Sequence, residues 1–566
     1  MDTFVDLLLH RAEGEPDAVA YRFFQGVDFA SESLTCRELA HKARALAALL
    51  QRTQEPGSRL LMVCKSQKNF TLAFFASLMA GMIAVPTALP RRRAFVERLR
   101  LLADDAGASA LIFDSDEVRA CNVGADGLGM QGIDLRDELE RADQAELAQH
   151  WKRPELRDAS IALLQYTSGS TGAPKGVAVS HGNLMCNSAV IREAMEITSD
   201  SKVLTALPMF HDMGLVGGLL QPMFSGCTGH FLSPSECAQY PERWLQIVSR
   251  FGITVSGGPN FMYDLAARGI APAELEGIDL SRWAVAFCGA EPIRPATIEL
   301  FIKHFAPHGF RAETFYPCYG MAEATLFITG KRAGKKAAVC DLQGVNVVSC
   351  GVPRGDTTVR IVDPETRAAL SDGSVGEIWT GGRSVARGYW RRPELSERVF
   401  RAMIAGGGEE TYLRTGDLGY LKDGELHVTG RLKDLIIMYG KKYAPQDIEE
   451  QAETSHPAVH GCGGAAFSVM RDGAEAAVLV IELRREWLRR ADELAAVAAA
   501  IRLSVQRLCG LALDDVAFIR PGALPRTSSG KVMRSKCRDD YLDESLEPVG
   551  RAPRARRDGT SPAALA

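Results

Sequence analysis

The chain has 566 residues, more than one compact domain usually holds, so a large body and a smaller second domain are expected. Its 46% hydrophobic and 24% charged residues and its formal net charge of -4 are ordinary for a globular protein and give no field that would attract nucleic acid. The 13 cysteines form no CxxC pair, which argues against a cysteine-ligated zinc site, and a large chain without a secretory leader indicates a reducing, cytoplasmic compartment.

The N-terminal segment has apolar residues at helical spacing and predicts an amphipathic helix. A charge-free run from Phe70 to Leu89 has the length of a membrane span. Because this run contains Gly81 and Pro86, we predict a helix over 67–82 and then a buried strand at IAVP. No transmembrane span is therefore expected.

Apolar, β-rich runs recur through the first three hundred residues, among them RLLMVC, SIALLQY, KVLTAL and WAVAFC. Amphipathic segments separate several of them, which predicts a layered α/β fold with parallel sheets. From about 345 to 430, short strands and tight turns such as Asp423-Gly424 predict an antiparallel, barrel-like subdomain. The predicted domains are an N-terminal domain over 1–430 and a small α+β domain over 431–545, followed by a basic, proline-rich tail over 546–566 that is expected to be disordered.

A loop rich in glycine, serine and threonine follows the apolar strand SIALLQ, and a helix is predicted to begin near His181. Small residues let backbone N–H groups close around phosphate oxygens, while hydroxyls and a lysine add donors and charge. The candidate phosphate ligands are Thr167, Ser168, Gly169, Ser170, Thr171, Gly172 and Lys175. Neither this loop nor Gly530-Lys531-Val532 has the Gly-Lys-Ser/Thr of a Walker A motif, which argues against a P-loop ATPase or kinase. The alternative reading of the loop is a flexible turn.

The stretch from Tyr166 to Gly176 resembles the phosphate loop of the adenylate-forming superfamily, which comprises acyl-CoA synthetases, peptide-synthetase adenylation domains and luciferases. Further motifs follow in that superfamily's order: PMFHDMG from Pro208, GAEP from Gly289, YGMAE from Tyr319, YLRTGD from Tyr412, GRLKD from Gly430 and PRTSSGK from Pro525. The resemblance implies that a carboxylate attacks the α-phosphate of ATP and releases pyrophosphate, with ATP and Mg²⁺ as cofactors.

The resemblance also implies roles for single residues. Glu323 is similar to the magnesium-binding glutamate, with Thr167 as a second metal contact. Tyr319 is expected to stack on adenine, and Asp417 to accept from the ribose hydroxyls near Arg431. For the last two, a turn carboxylate and a surface ion pair are the alternatives. The remaining expected cofactor contacts are Gly289, Ala290, Glu291, Gly320 and Met321.

Lys531 lies in TSSGK, where the superfamily has its catalytic lysine, and its ammonium is expected to bridge the acyl carboxylate and the α-phosphate. Lys433 matches the hinge position about which the small domain rotates between adenylation and thiol transfer. His211 is the second expected catalytic residue and, with Met213 and Gly258, is expected to line the substrate pocket. The apolar run around it suits either an acyl channel or a plain core.

The nature of the acid follows from the same region. Amino-acid-activating members have an aspartate directly after the phenylalanine, whereas here His211 follows Phe210, so an amine-bearing substrate is disfavoured. The stretches LQYTSGSTG, SGGPNFMYDL and TGRLKDLIIMYGKKYAPQDIE resemble fatty acyl-AMP ligases. That resemblance implies a fatty acid substrate and transfer of the acyl group to the phosphopantetheine of an acyl carrier protein in trans, in a polyketide or nonribosomal peptide pathway. A fatty acyl-CoA synthetase and a catalytically silent nucleotide- or acyl-binding homologue are the alternatives, and the oligomeric state stays open.

Overall fold

The computed structural model describes residues 1–26, 29–88, 94–123, 127–140, 144–167, 174–342, 345–438, 441–471, 474–527 and 531–551. The chain divides into two compact units. The first consists of Met1–Thr415 and Gly419–Val428, and the second of Gly416–Leu418 and Thr429–Ala566. The chain thus passes into the second unit close to residue 430, where the sequence predicts a domain boundary.

The elements that build both units are numbered here in chain order. The α-helices are α1 (Phe4–Gly14), α2 (Cys36–Thr53), α3 (Gln67–Met79), α4 (Ala94–Ala106), α5 (Asp116–Val123), α6 (Leu135–Leu139), α7 (Gln144–Gln149), α8 (His181–Ala194), α9 (Gln221–Ser225), α10 (Pro234–Gln239), α11 (Pro241–Phe251), α12 (Asn260–Gly269), α13 (Pro295–Phe305), α14 (Pro393–Phe400), α15 (Pro445–Ser455), α16 (Leu494–Cys509) and α17 (Arg534–Leu542). The strands are β1 (Val19–Gln25), β2 (Ala30–Thr35), β3 (Arg59–Val63), β4 (Ile83–Pro86), β5 (Ala110–Phe113), β6 (Gln131–Asp134), β7 (Ile161–Thr167), β8 (Lys175–Ser180), β9 (Lys202–Thr205), β10 (Thr228–Phe231), β11 (Val255–Gly258), β12 (Val285–Cys288), β13 (Phe315–Gly320), β14 (Phe327–Gly330), β15 (Val339–Leu342), β16 (Val345–Val348), β17 (Val352–Pro353), β18 (Thr358–Val362), β19 (Gly376–Gly381), β20 (Leu413–Lys422), β21 (Glu425–Arg431), β22 (Ile436–Met438), β23 (Lys441–Tyr443), β24 (Val459–Arg471), β25 (Ala474–Leu483), β26 (Asp515–Ile519) and β27 (Gly550–Arg551). A π-helix over Met213–Leu220 precedes α9.

A nine-stranded sheet forms the largest layer of the first unit, in the order β17-β14-β13-β12-β11-β9-β10-β1-β2. The strands from β13 to β1 run parallel, and antiparallel strands close both edges. Parallel strands are buried on both faces, which explains why apolar runs such as WAVAFC lack a polar alternation. The predicted α/β fold with layered, mainly parallel sheets is confirmed.

A second sheet has the order β6-β5-β3-β4-β7-β8. The charge-free run enters it as predicted: α3 is buried from Phe70 to Met79, and β4 follows as a fully buried strand. Within the described ranges, no helix is long and apolar enough to cross a membrane. The predicted order of strand, phosphate loop and helix is incomplete. Helix α8 begins at His181 as expected, but the antiparallel strand β8 precedes it. The phosphate loop therefore joins two strands.

A smaller sheet follows in the order β18-β19-β20-β21 and corresponds to the predicted barrel-like subdomain. Its hairpin turn between β20 and β21 uses Asp423 and Gly424, with φ angles of 53° and 76°. These left-handed angles are those that a two-residue hairpin requires, which is why the Asp-Gly pair predicts it. The small separate sheet agrees with the predicted fold class.

The second unit has its own core, in which α15 and α16 pack beside a four-stranded sheet of order β24-β25-β26-β27. The sequence predicts a disordered tail from residue 546. In the structure, however, the first residues of this tail contact the sheet of the second unit. Leu546 packs against the sheet's other apolar face, and β27 pairs with β26. The rest of the tail, from residue 552, lies outside the described residues.

Candidate active site

Several predicted site residues follow neighbouring strands of the nine-stranded sheet. Gly258 ends β11, Gly289 follows β12, and Tyr319 lies at the end of β13. These strands are parallel, with Gly258 opposite Cys288 and Cys288 opposite Pro317. Their carboxyl ends therefore open at one edge of the sheet, where open α/β sheets commonly bind ligands.

Two glycines at this edge lie where other atoms approach closely. A Cβ on Gly320 would collide with the carbonyl oxygen of Leu326, because β13 and β14 are joined by an irregular register at this point. Met321 donates its N–H to the same carbonyl at 2.8 Å. A Cβ on Gly258 would lie 2.6 Å from the sulfur of Met262. A side chain at Gly320 would thus displace the backbone at Leu326, and a side chain at Gly258 would displace the side chain of Met262.

The segment after β12, which is predicted to line the adenine, is held in place by the side chain of Glu291. The Glu291 carboxylate accepts the N–H of Phe261 at 2.6 Å, in the first turn of α12. That N–H is one of the helix-end donors that have no partner within a helix. Ala290 takes a left-handed φ of 70°, so the backbone turns sharply between Gly289 and Glu291. The side chain of Glu291 fixes this turn, and its backbone remains the predicted adenine contact.

The segment with His211 and Met213 begins the π-helix. Asp212 accepts the Met213 N–H at 2.7 Å, and Gln165 of β7 donates to the Phe210 carbonyl at 2.8 Å. His211 and Met213 are half-buried. The apolar residues that follow are buried and belong to the main core cluster; they are Leu215, Val216, Leu219 and Leu220. The roles of His211 and Met213 stay predictions.

The phosphate loop is described only at its two ends. Thr167 and Lys175 lie opposite each other in the β7–β8 ladder, so the strands bring the predicted metal contact and the predicted phosphate lysine together. Ser168, Gly169, Ser170, Thr171 and Gly172 lie outside the described residues. The ammonium nitrogen of Lys175 lies 5.6 Å from the ring centroid of Tyr389, a cation–π contact.

The same tyrosine contacts the predicted magnesium ligand. The Tyr389 hydroxyl donates to Oε1 of Glu323 at 2.9 Å, and Glu323 is only 9% exposed. Burial, and then the neighbouring Glu323 carboxylate, raise the pKa of Tyr389, which keeps the phenol protonated as a donor. One aromatic side chain therefore touches both Lys175 and Glu323. Sequence reasoning missed Tyr389, whose only signal is an aromatic pair after Gly388 in ARGYW.

Two asparagines on α8 hold the segments that carry the glutamate and the tyrosine. Asn183 donates to the carbonyls of Arg383 and Val385 at 2.7 and 2.9 Å. One turn later, Asn187 donates to the Phe327 carbonyl at 2.9 Å and accepts the Phe327 N–H at 3.1 Å. Positions four apart lie on one face of a helix. Because α8 follows directly on β8, one strand–helix unit orients the lysine, the glutamate and the tyrosine. These asparagines were also missed.

The second unit contains the predicted ribose ligand. Arg431 Nε lies 2.8 Å from Oδ1 of Asp417, with the arginine side chain 49% and the aspartate side chain 8% exposed. The two residues thus form an ion pair, and Arg431 lies near Asp417 as expected. Contact of Asp417 with ribose stays a prediction.

The loop with Lys531 is closed by short-range hydrogen bonds. Thr527 donates its N–H to the Lys531 carbonyl at 2.8 Å, and its hydroxyl accepts the Lys531 N–H at 3.1 Å. Met533 then donates to the Pro525 carbonyl at 2.9 Å. The residues between, 528–530, lie outside the described ranges. The lysine is therefore placed at the base of a narrow turn, and its side chain is half-buried.

Arg534 anchors this turn to the rest of the second unit. Its Nε and Nη2 each donate to a different oxygen of Glu449 on α15, both at 2.6 Å. Its Nη1 lies 3.5 Å from Asp434, the neighbour of the predicted hinge residue Lys433. A bidentate arginine–carboxylate pair fixes orientation as well as distance. The guanidinium thus ties the Lys531 turn, α15 and the Lys433 segment together.

A family model described as "AMP-binding enzyme" matches residues 8–390. The chain belongs to the AMP-binding enzyme family. A second model, described as the AMP domain of Disco-interacting protein 2-like proteins, matches residues 433–550 of this AMP-binding enzyme. The predicted membership of the adenylate-forming superfamily and the use of ATP are in agreement with both the family match and the fold.

Known proteins resemble the AMP-binding enzyme over nearly its whole length. It is 39% identical to the medium-chain-fatty-acid–[acyl-carrier-protein] ligase JamA of Moorena producens, over 96% of each chain. It is 31% identical to the corresponding ligase TtuA of Teredinibacter turnerae, over 99% of this chain and 97% of TtuA. A crystal structure of fatty acyl-adenylate ligase from L. pneumophila, in complex with acyl adenylate and pyrophosphate, is 34% identical with a TM-score of 0.75, over 97% of this chain and 98% of that one.

The donors in the AMP-binding enzyme fit a magnesium ion that is bound together with a nucleotide. Within the described part of the chain, no group of three or more acidic, histidine or cysteine side chains could hold a metal. Mg²⁺ needs no such cage, because it usually takes one or two carboxylates and completes its shell with phosphate oxygens and water. The buried carboxylate of Glu323, which contacts Tyr389, is a group of the kind that Mg²⁺ takes as a ligand.

Proposed function

We propose that this AMP-binding enzyme joins a fatty acid to AMP and transfers the acyl group to the phosphopantetheine thiol of an acyl carrier protein. The observation that carries the first step is the contact of Tyr389 with both Lys175 and Glu323. It brings a cation and a buried anion to one tyrosine side chain, next to the strand that follows the phosphate loop. This arrangement suits a metal-bound polyphosphate, which needs a fixed cation for its oxygens and a carboxylate for its metal.

In this mechanism the fatty acid carboxylate attacks the α-phosphorus of ATP in line, and the bond to the bridging oxygen of pyrophosphate breaks. Negative charge grows on the leaving group, and Lys175 is the proposed group that neutralises that charge. Glu323, with Thr167 as a second contact, would hold Mg²⁺, which supplies further charge neutralisation on the phosphates. The Lys531 ammonium holds the attacking carboxylate against the α-phosphate, because a carboxylate is a weak nucleophile that depends on positioning.

The adenosine half is assigned to the edge of the nine-stranded sheet. Tyr319 offers a ring for adenine stacking, and the turn at Ala290 brings backbone groups of Gly289 and Glu291 alongside. Asp417, held by Arg431, is the proposed acceptor for the ribose hydroxyls. Lys433 is the proposed hinge between adenylation and thiol transfer.

The fatty acid and the carrier protein are supported by the relatives and by the sequence. JamA and TtuA are named as ligases of medium-chain fatty acids to acyl carrier protein. His211 stands where amino-acid-activating members have an aspartate, which disfavours an amine-bearing acid. We place the enzyme in the cytoplasm, where the free cysteines of the described chain would stay reduced.

The first half-reaction is tested by exchange of labelled pyrophosphate into ATP. Purified enzyme with ATP and Mg²⁺ should catalyse exchange with a saturated fatty acid but not with the matching fatty amide, which lacks the nucleophilic oxygen. Amino acids should be inactive. Exchange without any acid, or none with a panel of fatty acids from short to long chain, would contradict the proposal.

A further inference from the structure

We infer that Tyr389 is a positioning residue that orients the Glu323 carboxylate toward the metal and supports the Lys175 ammonium toward the phosphates. The inference rests on the proposed function, in which Glu323 is the metal ligand and Lys175 the phosphate lysine. Its basis is the geometry of one side chain that touches both groups.

Tyr389 is itself held from several sides. Its N–H donates to the hydroxyl of Ser396 at 2.8 Å, and its ring meets Phe400 edge-on, with the centroids 5.0 Å apart. Its backbone forms an antiparallel bridge with Val177 of β8, two residues after Lys175. The ring therefore has little freedom to move, and its fixed position restricts the Glu323 carboxylate and the Lys175 ammonium that contact it.

The backbone of Glu323 is tied to the segment that leads to the tyrosine. Ala386 donates its N–H to the Glu323 carbonyl at 2.9 Å, and the Thr325 hydroxyl donates to the Ser384 carbonyl at 2.6 Å. Thr325 has a left-handed φ of 69°, a conformation that a β-branched residue rarely adopts without such support. The main chain around Glu323 is thus fixed by Ser384 and Ala386, and its carboxylate by Tyr389, which lies in the same segment of the chain.

The chemistry of the contacts suits this role. A neutral phenol donates one hydrogen bond to the carboxylate and orients it without neutralising its charge, as outer-shell partners of metal ligands do. An aromatic face attracts the lysine ammonium and also leaves its charge in place. Tyr389 can therefore hold an anion and a cation that must both keep their charge for a magnesium nucleotide.

The experiment uses Tyr389→Phe, which removes only the hydroxyl, and Tyr389→Leu, which also removes the ring. Binding of Mn²⁺ in place of Mg²⁺ is followed by electron paramagnetic resonance, with α,β-methylene-ATP as a nucleotide that cannot transfer its AMP to the fatty acid. Tyr389→Phe should weaken Mn²⁺ binding about tenfold and leave the affinity for metal-free nucleotide unchanged. Tyr389→Leu should weaken both, because the support of Lys175 is also lost.

Two comparisons separate positioning from general damage. In a Glu323→Ala background, Tyr389→Phe should cause no further loss of Mn²⁺ affinity, because the carboxylate that it orients is gone. Tyr541→Phe removes another buried phenol–carboxylate hydrogen bond, to Asp515 at 2.6 Å in the second unit, and should leave Mn²⁺ binding unchanged.

Wild-type Mn²⁺ affinity in Tyr389→Phe, or full additivity with Glu323→Ala, would overturn the inference. Because the readout needs no turnover, it is separate from the test of function. A wild-type enzyme that binds Mn²⁺ and nucleotide but shows no fatty-acid-dependent exchange would refute the proposed function and leave the positioning role standing.

Discussion

The two lysines proposed to act on the phosphates are supported in different ways. Lys175 begins a strand of the six-stranded sheet, and the residues around it are tied through α8 to segments more than a hundred positions away in the chain. Lys531 lies in a narrow turn closed by neighbours within a few residues, and the main long-range anchor of that turn is the pair of Arg534 with Glu449.

This difference indicates different duties. A lysine built into a sheet and a buried hydrogen-bond network suits a phosphate site that keeps one geometry. A lysine on a turn of the small unit, bonded through Arg534 next to the proposed hinge segment, suits a group that moves together with that unit. We therefore expect the Lys531 turn to depend strongly on the ion pairs of Arg534, whereas the Lys175 site depends on several weaker contacts.

The largest effect is expected from breaking the anchor of the Lys531 turn. Arg534→Met leaves Glu449, whose side chain is 4% exposed, as an unpaired buried charge, which typically costs about 3–5 kcal/mol. The free energy of unfolding of the second unit should fall by this amount when the hydrogen exchange of the buried amides in β25 and β26 is followed against denaturant.

The matched control is the double variant Arg534→Met with Glu449→Met, in which no charge is left unpaired. It should be more stable than Arg534→Met alone, although incompletely restored, because Glu449 also accepts the Ala466 N–H at 2.9 Å. A double variant no more stable than the single one would show that the ion pair is not the anchor.

The next effect concerns Lys531 itself. Lys531→Ala should lower the rate of pyrophosphate exchange about 10²–10³-fold, the loss typical when one charge-stabilising donor is removed, while ATP and fatty acid still bind. Lys536→Ala is the control, because this lysine lies on α17 with its side chain 57% exposed and pairs with Asp540. Unchanged exchange in Lys531→Ala would remove this residue from the mechanism.

The smallest effect concerns the several hydrogen bonds of α8 that support the Lys175 site. Asn187→Ala leaves the buried N–H and carbonyl of Phe327 without their partner, which should cost about 2 kcal/mol of stability and weaken Mn²⁺ binding with nucleotide. Asn122 makes a similar pair of bonds to Met130, at 3.0 and 3.1 Å. Asn122→Ala should therefore lose stability without affecting Mn²⁺, and equal losses of metal affinity in both variants would contradict a specific role for α8.

Much of this fold is predictable because parallel strands have a direct sequence signature. Buried runs such as WAVAFC are apolar throughout, so β12 and its neighbours can be recognised without any contact being known. The split of the charge-free run into α3 and β4 follows from Gly81 and Pro86 in the same way. The motif residues Gly258, Gly289 and Tyr319 then lie together because parallel strands end at one edge.

Other features depend on contacts that local sequence does not encode. Strand β8 is six residues long, begins with Lys175-Gly176 and runs directly into α8, so its pairing with β7 decides its conformation. Tyr389 and Asn187 bear the side chains that complete the site, but their partners lie in distant segments. A tyrosine after a glycine, or an asparagine on a helix, has many possible uses, and only the folded chain distinguishes them.

The central claim is that this enzyme makes an acyl-adenylate and gives the acyl group to a carrier protein. The most direct measurement incubates purified enzyme with ATP, Mg²⁺ and a labelled medium-chain fatty acid, and then adds coenzyme A or a holo acyl carrier protein in separate reactions. The account predicts that acyl-adenylate accumulates in the presence of coenzyme A and is discharged onto the carrier protein. Rapid formation of acyl-coenzyme A, with the holo carrier left unloaded, would contradict it.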